Sequence, residues 1–490
     1  MTFMLSTVTV AGRQFAALNN FDHAANKVTL ITGANGTGKT RLLSGLAVQF
    51  SGKSHSSDSS VRDVQGVTSS GSLAGPSRVV AQTFSPFSRF PRERTRALSL
   101  EEYLQPPSLN YVAIGFTRST GLRGSVSKDA VSRIARKLHT QPEQAAPLAN
   151  ALRSLGFEPR LRIAYYRSPV GRNLDLKEPD ETKLCSAVDE FLAELAAKSN
   201  KSGEEIRITR EIASQPRVEL TKKLINAIRA VQPSLPNAFN EHRRREFAID
   251  LPLMEDALMP RDELEGAIVL ARLGLLRVSD CVLWTIPGGR WRKETQNSIV
   301  ANELSIVDAS SGEQQLLSSL FGLVAEMQDD ALVLIDEPEL SLHPSWQTQF
   351  LDLLSLVIRP FNGCHVLVAT HSPLLAQRGQ ELGIPVLSLD ENRKSTHTSD
   401  APPSVEQTLI DVFELPVRDS TYVGRLLLSL VMGAEQNPNS AAISRLRIEE
   451  LQELYERATV PDKNTLALIH DALELIEQGP QERGDGRGEA

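Results

Sequence analysis

Cysteine is scarce in this chain, which has three in 490 residues, Cys185, Cys281 and Cys364, far apart and without CxxC spacing. That excludes a disulfide framework or a zinc ribbon, and the thiols are expected to be reduced and buried. No stretch approaches the run of about 18 apolar residues needed to span a bilayer, so no membrane partner is expected. The start, MTFMLSTVTVAGRQF, alternates like a strand and has no charged segment leading into a long apolar run, so a cytoplasmic chain is expected. Excess positive charge is also missing: 53 Lys and Arg face 60 Asp and Glu, a formal net charge of −7. This balance argues against a uniformly basic nucleic-acid coat but leaves room for local basic patches. Neither a sustained heptad run nor an internal repeat occurs.

What remains is ordinary for a globular protein, 41% hydrophobic and 23% charged, long enough for several domains. The apolar VTLIT runs into Gly33-Ala34-Asn35-Gly36-Thr37-Gly38-Lys39-Thr40, and the helical pattern KTRLLSGLAVQF leaves it. This fits G-x-x-x-x-G-K-[ST] with the strand–loop–helix context that the motif requires. Glycines let backbone N–H groups turn around phosphate oxygens. Lys39 can reach the terminal phosphates, and the Thr40 hydroxyl can ligate Mg²⁺. ATP and Mg²⁺ are the expected cofactors. Downstream, ALVLIDEPE reads as a central strand that delivers Asp336, a metal ligand through its shell, followed by Glu337, placed to polarise an attacking water. VLVATHSP ends in the same way at His371, which can hydrogen-bond a phosphate or the water. Ahead of both, SSGEQ (310–314) heads an apolar helix, and a helix N-terminus suits an anion.

The segment 51–77 is Ser/Gly-rich and is expected to be a mobile loop. RVVAQTF (78–84) reads as a buried strand. Residues 97–300 show mainly helical patterns, with the short strand candidates RLRIAYYR, FAIDL and CVLWTIP between them. Helical patterns return after the polar segment NRKSTHTSDAPPS and run to about residue 478, and the tail PQERGDGRGEA is expected to be disordered.

Walker A, SSGEQ, LVLIDEPE and ATHSP, in that order, resemble the ATP-binding-cassette (ABC) ATPases of the SMC/RecF/OLD branch. The resemblance implies an α/β fold, an ABC-ATPase head of the P-loop NTPase class. Its N-terminal lobe would be 1–96, a mainly helical insertion 97–300, its C-terminal lobe 301–400, and a helical C-terminal region 401–490. It implies a homodimer in which Ser311, Gly312 and Gln314 bind the γ-phosphate held by the opposite subunit, with Glu313 in place of the usual second glycine. Gln82 takes the position of the loop glutamine that senses Mg²⁺. Ser341 to His343 hold the D-loop position without its usual aspartate, so no role carries over. RVVAQTFSPFSRFP and LNYVAIGFTR further resemble the PtuA-type ATPases of Septu and retron-associated anti-phage systems, although Ser88 stands where aspartate is expected. That likeness implies a separately encoded nuclease partner such as an HNH protein, with a retron reverse transcriptase and its DNA as further partners.

Other classes fit less well. A transporter subunit has a shorter stretch between Walker A and signature than that from Thr40 to Ser310. An OLD-type nuclease needs a DxD pair, and none follows His371; Asp390 and Glu391 read as a solvated turn. The histidines His343, His365, His397 and His470 form no nuclease set. The serious alternative is a RecF/SMC-like DNA-binding repair ATPase, for which HRRRE (His242 to Glu246) and GGRWRKE (Gly288 to Glu294), with Trp291 to stack on a base, are the candidate nucleic-acid contacts.

Overall fold

The computed structural model describes residues 5–10, 13–16, 25–34, 36–51, 64–68, 75–85, 89–91, 100, 104, 111–115, 123–168, 174–197, 216–235, 246–254, 257–286, 303–340, 342–389, 404–458 and 462–478. They fall into two compact units, the first formed by Met1–Thr29 and Thr40–Ala369, the second by Leu30–Lys39 and Thr370–Ala490. Among the described residues no helix is long and apolar enough to cross a membrane.

In the first unit, β1 (Leu5–Val10) and β2 (Arg13–Ala16) form an antiparallel pair. The chain continues into β3 (Lys27–Thr32), whose second half belongs to the other unit, and α1 (Lys39–Phe50). Leu42, Leu43, Leu46 and Ala47 of α1 are wholly buried. Next comes β4 (Val64–Thr68), which pairs antiparallel with β1, Val8 facing Gly66 and Val10 facing Val64. This corrects the expectation of a mobile loop at 64–68; within 51–77, residues 52–63 and 69–74 lie outside the described residues. A backbone ladder to a strand more than fifty residues away supplies the order, and composition within the segment carries no trace of that partner.

β5 (Arg78–Thr83) and β6 (Tyr111–Gly115) lead to α2 (Arg123–Thr140), α3 (Ala145–Leu155) and the long β7 (Phe157–Arg167). α4 (Glu181–Ala197), α5 (Arg217–Val231), β8 (Glu246–Pro252), α6 (Arg261–Arg272), β9 (Leu276–Thr285) and β10 (Glu303–Ser305) follow. The segment expected to be mainly helical therefore also holds a sheet, antiparallel in the order β10-β9-β7-β8. Alternation drives it: Leu161, Ile163 and Tyr165 of β7 are buried, while Arg162 and Ala164 between them are only half-buried.

The first unit closes with α7 (Ser311–Glu326), β11 (Ala331–Asp336), α8 (Pro344–Ile358) and β12 (His365–Ala369). β11 is buried at every position and lies parallel between β12 and β5, with β6 beyond β5. Near-continuous apolar strands of this kind belong to parallel sheets covered on both faces. Register pairs Asp336 with Thr83 and Ile335 with Gln82.

The second unit pairs Leu30–Thr32 of β3 in parallel with β13 (Val386–Ser388) and contains α9 (Pro373–Glu381). α10 (Val405–Asp411), α11 (Thr421–Gln436), α12 (Pro438–Glu456) and α13 (Lys463–Gln478) pack around Ile410, Leu427, Ile448, Leu451, Tyr455 and Ile469. The buried Tyr455 hydroxyl donates to Val417 O (2.7 Å), and burial pushes its pKa up to about 12. The helices anticipated up to about residue 478 are present.

One buried charge ties the first unit's layers together. Glu326 ends α7, where the helix dipole favours a cation. It accepts from Arg78 of β5 at 2.9 Å and from Arg133 of α2 at 2.9 Å, and Arg136 lies 4.0 Å away. Beside it Lys137 donates to Met327 O, and burial lowers its pKa to about 8. Glu326 and Arg78 are 1% and 2% exposed, so removing one leaves the other uncompensated. Glu326→Gln is expected to destabilise the fold by about 3 kcal/mol or more in denaturant melts. Asp129→Ala, which removes the half-exposed partner of Arg133, should cost no more than about 1 kcal/mol.

Candidate functional site

The phosphate loop begins where the buried β3 runs out. Gly36 and Gly38 sit at φ 90° and 101°, a region that side-chain-bearing residues seldom adopt. A Cβ built on Gly36 meets nothing within 4 Å, so the loop's outer side is open. Thr37 bonds Ala34 O through both its amide (3.3 Å) and its hydroxyl (3.0 Å). Lys39, 5% exposed, donates from Nζ to Gly33 O (2.6 Å) and Ala34 O (3.0 Å). A single buried ammonium is thus folded against its own loop. Asn35, expected to bind phosphate, lies outside the described residues.

Thr40, the next residue, belongs to the first unit. Its hydroxyl donates to Asp336 Oδ1 at 3.0 Å, across 296 positions of sequence. Asp336 is 2% exposed at the C-terminal end of β11. A hydroxyl and a carboxylate converging in this way are two hard oxygen donors, the set that Mg²⁺ takes with phosphate oxygens and water. The residues present therefore fit Mg²⁺.

Glu337 follows with φ 50°, left-handed backbone in a non-glycine residue, and its amide donates to Ala369 O at 2.9 Å. Such a conformation costs about 1 kcal/mol or more. It turns the chain sharply off the strand and leaves the Glu337 side chain half-buried. His371 lies in the second unit, as do Gly33–Lys39; the preceding Thr370 donates from its amide to Ile31 O at 3.0 Å.

Helix α7 starts with a capping box. Ser310 Oγ accepts from the Glu313 amide (3.4 Å), and the Ser310 amide donates to Glu313 Oε2 (2.6 Å). Glu313 thus does what glycine cannot, closing the helix start on itself. Gln314 donates to Val307 O (2.8 Å) and Ala309 O (3.1 Å), fixing the entering chain. Ser311 is exposed and Gly312 half-buried, in the first turn, where amides have no intrahelical acceptors.

Gln82 is not brought to Asp336. Successive strand side chains point to opposite faces, and Asp336 is in register with Thr83. Gln82, 1% exposed, instead donates to Ser319 Oγ of α7 at 2.6 Å. The expectation that it senses Mg²⁺ is corrected accordingly. Residues not singled out in the sequence make the link from strand to helix. The Phe84 amide donates to Asp336 O (3.3 Å), and Gln315 Nε2 donates to Phe84 O (3.2 Å). Their only sequence signal was position at a strand end and on a helix turn. Ser341, Ser88, Asp390, Glu391, His242 to Arg245 and Gly288 to Glu294 lie outside the described residues.

Residues 158–376 match the family described as "AAA domain, putative AbiEii toxin, Type IV TA system". The match spans α7, Asp336, Glu337 and His371. The chain is also similar to Protein ea59 of Escherichia phage lambda, 41% identical over 68 residues, which are 14% of this chain and 13% of that one. The chain therefore spans a small part of that relative's length. A P-loop/AAA-type NTPase domain is present, in a mixed α/β fold, and it supports ATP binding and hydrolysis.

Removing the buried ammonium should weaken nucleotide binding directly. Lys39→Ala is expected to lower ATP affinity by about tenfold or more, the scale of one lost charge-assisted contact. Isothermal titration with and without Mg²⁺ checks this, and Asp336→Asn should abolish the gain in affinity that Mg²⁺ confers on the wild type.

Proposed function

We propose that this protein is an ABC-type ATPase of the SMC/RecF/OLD branch, dimerising around ATP and regulating a separate nuclease in anti-phage defence. The observation that carries the ATPase part is the 3.0 Å hydrogen bond from Thr40 to Asp336, which brings two oxygen donors together at the end of the central strand. Magnesium, when bound, supplies charge neutralisation at the phosphate oxygens. The loop amides and Lys39 hold the phosphates, Thr40 and Asp336 hold the ion, and Glu337 accepts the proton of the attacking water. His371 contributes a hydrogen bond to phosphate or water.

The dimer is argued from the signature helix. Ser311 and Gly312 present first-turn amides at an exposed helix start, while Glu313 and Gln314 bond their own chain. A free helix start of this kind is suited to a phosphate presented from outside, namely the ATP of a second subunit. The nuclease partner is supported by the likeness to PtuA-type ATPases in RVVAQTFSPFSRFP and LNYVAIGFTR. The matched family's description, a putative toxin of a type IV toxin–antitoxin system, is compatible with a defence setting. An ATP-driven shift between open and closed dimers would let one state hold the partner and the other release it.

Mixed dimers test the arrangement. Lys39→Ala and Ser311→Arg homodimers should both lack turnover, whereas a mixed dimer retains one intact composite site and should recover up to about half the wild-type rate per dimer. Proven mixing without recovery would contradict the trans role. Co-expression with neighbouring genes should give stoichiometric co-purification of a nuclease, the chain alone cutting neither DNA nor RNA. Tight, salt-sensitive duplex binding without such a partner would favour a DNA-repair ATPase instead.

A further inference from the structure

In the second unit, α11 and α13 pack side by side and point the same way. The amide of Asp419, just before α11, donates to Asp462 Oδ2, just before α13, at 3.0 Å. Asn464 Nδ2 returns a bond to Asp419 Oδ1 at 3.3 Å, so the two helix starts are tied together. α12 runs back between their ends. Near its C-terminus the Tyr455 hydroxyl donates to Val417 O, and near its N-terminus Arg445 pairs with Glu477 of α13 at 2.9 Å. Met432 and Leu475 are each thirteen residues beyond the tie and so stand level with one another.

Leu427 and Val431 of α11 and Ile469 of α13 lie in the shared core. Leu428 and Met432 follow the first two by one position, whereas Leu468 precedes Ile469, and Leu475 the partly buried Ile476, by one. One position turns a helix by about 100°. On two helices that point the same way and face each other, turns of opposite sense open on the same side. Leu428, Met432, Leu468 and Leu475 therefore share one face, and each is 48% to 62% exposed. Gly424, one turn before Leu428, continues the stripe, and a Cβ there meets nothing within 4 Å. Glycine weakens a helix at such a position, but it leaves room for a close approach from outside the chain. Glu435 ends the stripe in the last turn of α11.

Opposite charges border this face. Arg425 lies on its α11 rim and Asp471 on its α13 rim, both exposed and in no ion pair among the described residues. They stand six and nine residues beyond the tie, about 4.5 Å apart along the helices, a gap that an arginine side chain spans. A twofold axis parallel to the helices carries each rim onto the other. A second copy then brings its aspartate to Arg425 and its arginine to Asp471, with Leu428 and Met432 over the second Leu468 and Leu475. The four apolar side chains present roughly 400 Å² per copy. A standard interface buries about 800 Å² per partner, somewhat over half of it apolar, so the face suffices for a stable dimer. We propose that α11 and α13 form a self-association surface, joining two copies of this chain in the absence of nucleotide. It uses no residue of the proposed ATP site and stands or falls apart from the ATP-driven dimer.

Sedimentation equilibrium of the full chain without nucleotide tests this. The wild type should dimerise with a dissociation constant of about 10 µM or lower. Leu428→Asp should weaken association by at least about thirtyfold, the effect of a charge buried at the centre of the face. Arg425→Asp and Asp471→Arg each set like charges against one another at both rims and should each weaken it at least about tenfold. Mixed in equal amounts, these two variants should associate as the wild type does, because each meets its opposite charge in the other. Ser311→Arg, at the proposed ATP contact, should leave association without nucleotide unchanged. Should Leu428→Asp fail to fold, the two charge variants and their mixture carry the test. A wild type that stays monomeric at about 100 µM, or association unchanged in Leu428→Asp or in the charge variants, would overturn the proposal. So would failure of the mixture to recover, or loss of association in Ser311→Arg.

Discussion

The hydrogen bond from Thr40 to Asp336 is the contact on which the rest of the catalytic arrangement depends. One of its ends begins a helix and the other finishes a strand, and each is positioned by a buried element that tolerates little displacement. β11 is buried throughout between two parallel neighbours. α1 is pinned by four wholly buried residues. A charge-assisted hydrogen bond contributes about 1.5–3 kcal/mol, but its larger consequence is geometric. It sets two oxygen donors side by side before any metal arrives, so binding need not reorganise them. The left-handed turn at Glu337 is the local strain that this placement carries.

Helix α7 is held independently at three levels. A capping box and Gln314 fix its start, Phe84 and Gln82 grip its middle, and the Arg78 and Arg133 guanidiniums surround Glu326 at its end. Phe84 also bonds Asp336 O, so the strand that carries the proposed metal ligand and the helix proposed to read a second ATP share one residue. α2 contributes Arg133 and Lys137 to the same end, so the segment 97–300 is built into the support of α7.

The phosphate loop, β11 and α7 could be read in the sequence because their signals are local: a complete motif, an apolar run, a polar turn before an apolar helix. The role of Glu313 is legible as well, since Ser310-x-x-Glu313 before an apolar run is a capping-box pattern. What stayed hidden is set by pairing at a distance. β4 depends on β1, and the three strand candidates within 97–300 assemble into one sheet only through their register. Gln82 is the sharpest case. The resemblance gives it the place of a Mg²⁺-sensing glutamine, but the register of β5 against β11 turns it to the face opposite Asp336, toward Ser319.

The most direct test of the account is single-turnover ATP hydrolysis with Mg²⁺ by the wild type and by Glu337→Gln. The variant keeps the loop, Lys39, Thr40 and Asp336, so ATP affinity should be retained. Its amide cannot accept a proton, and turnover should fall by about 10²–10⁴-fold, the usual contribution of a general base. Equal turnover in the two proteins would contradict the assignment of Glu337, and with it the reading of the β11 end as the catalytic centre.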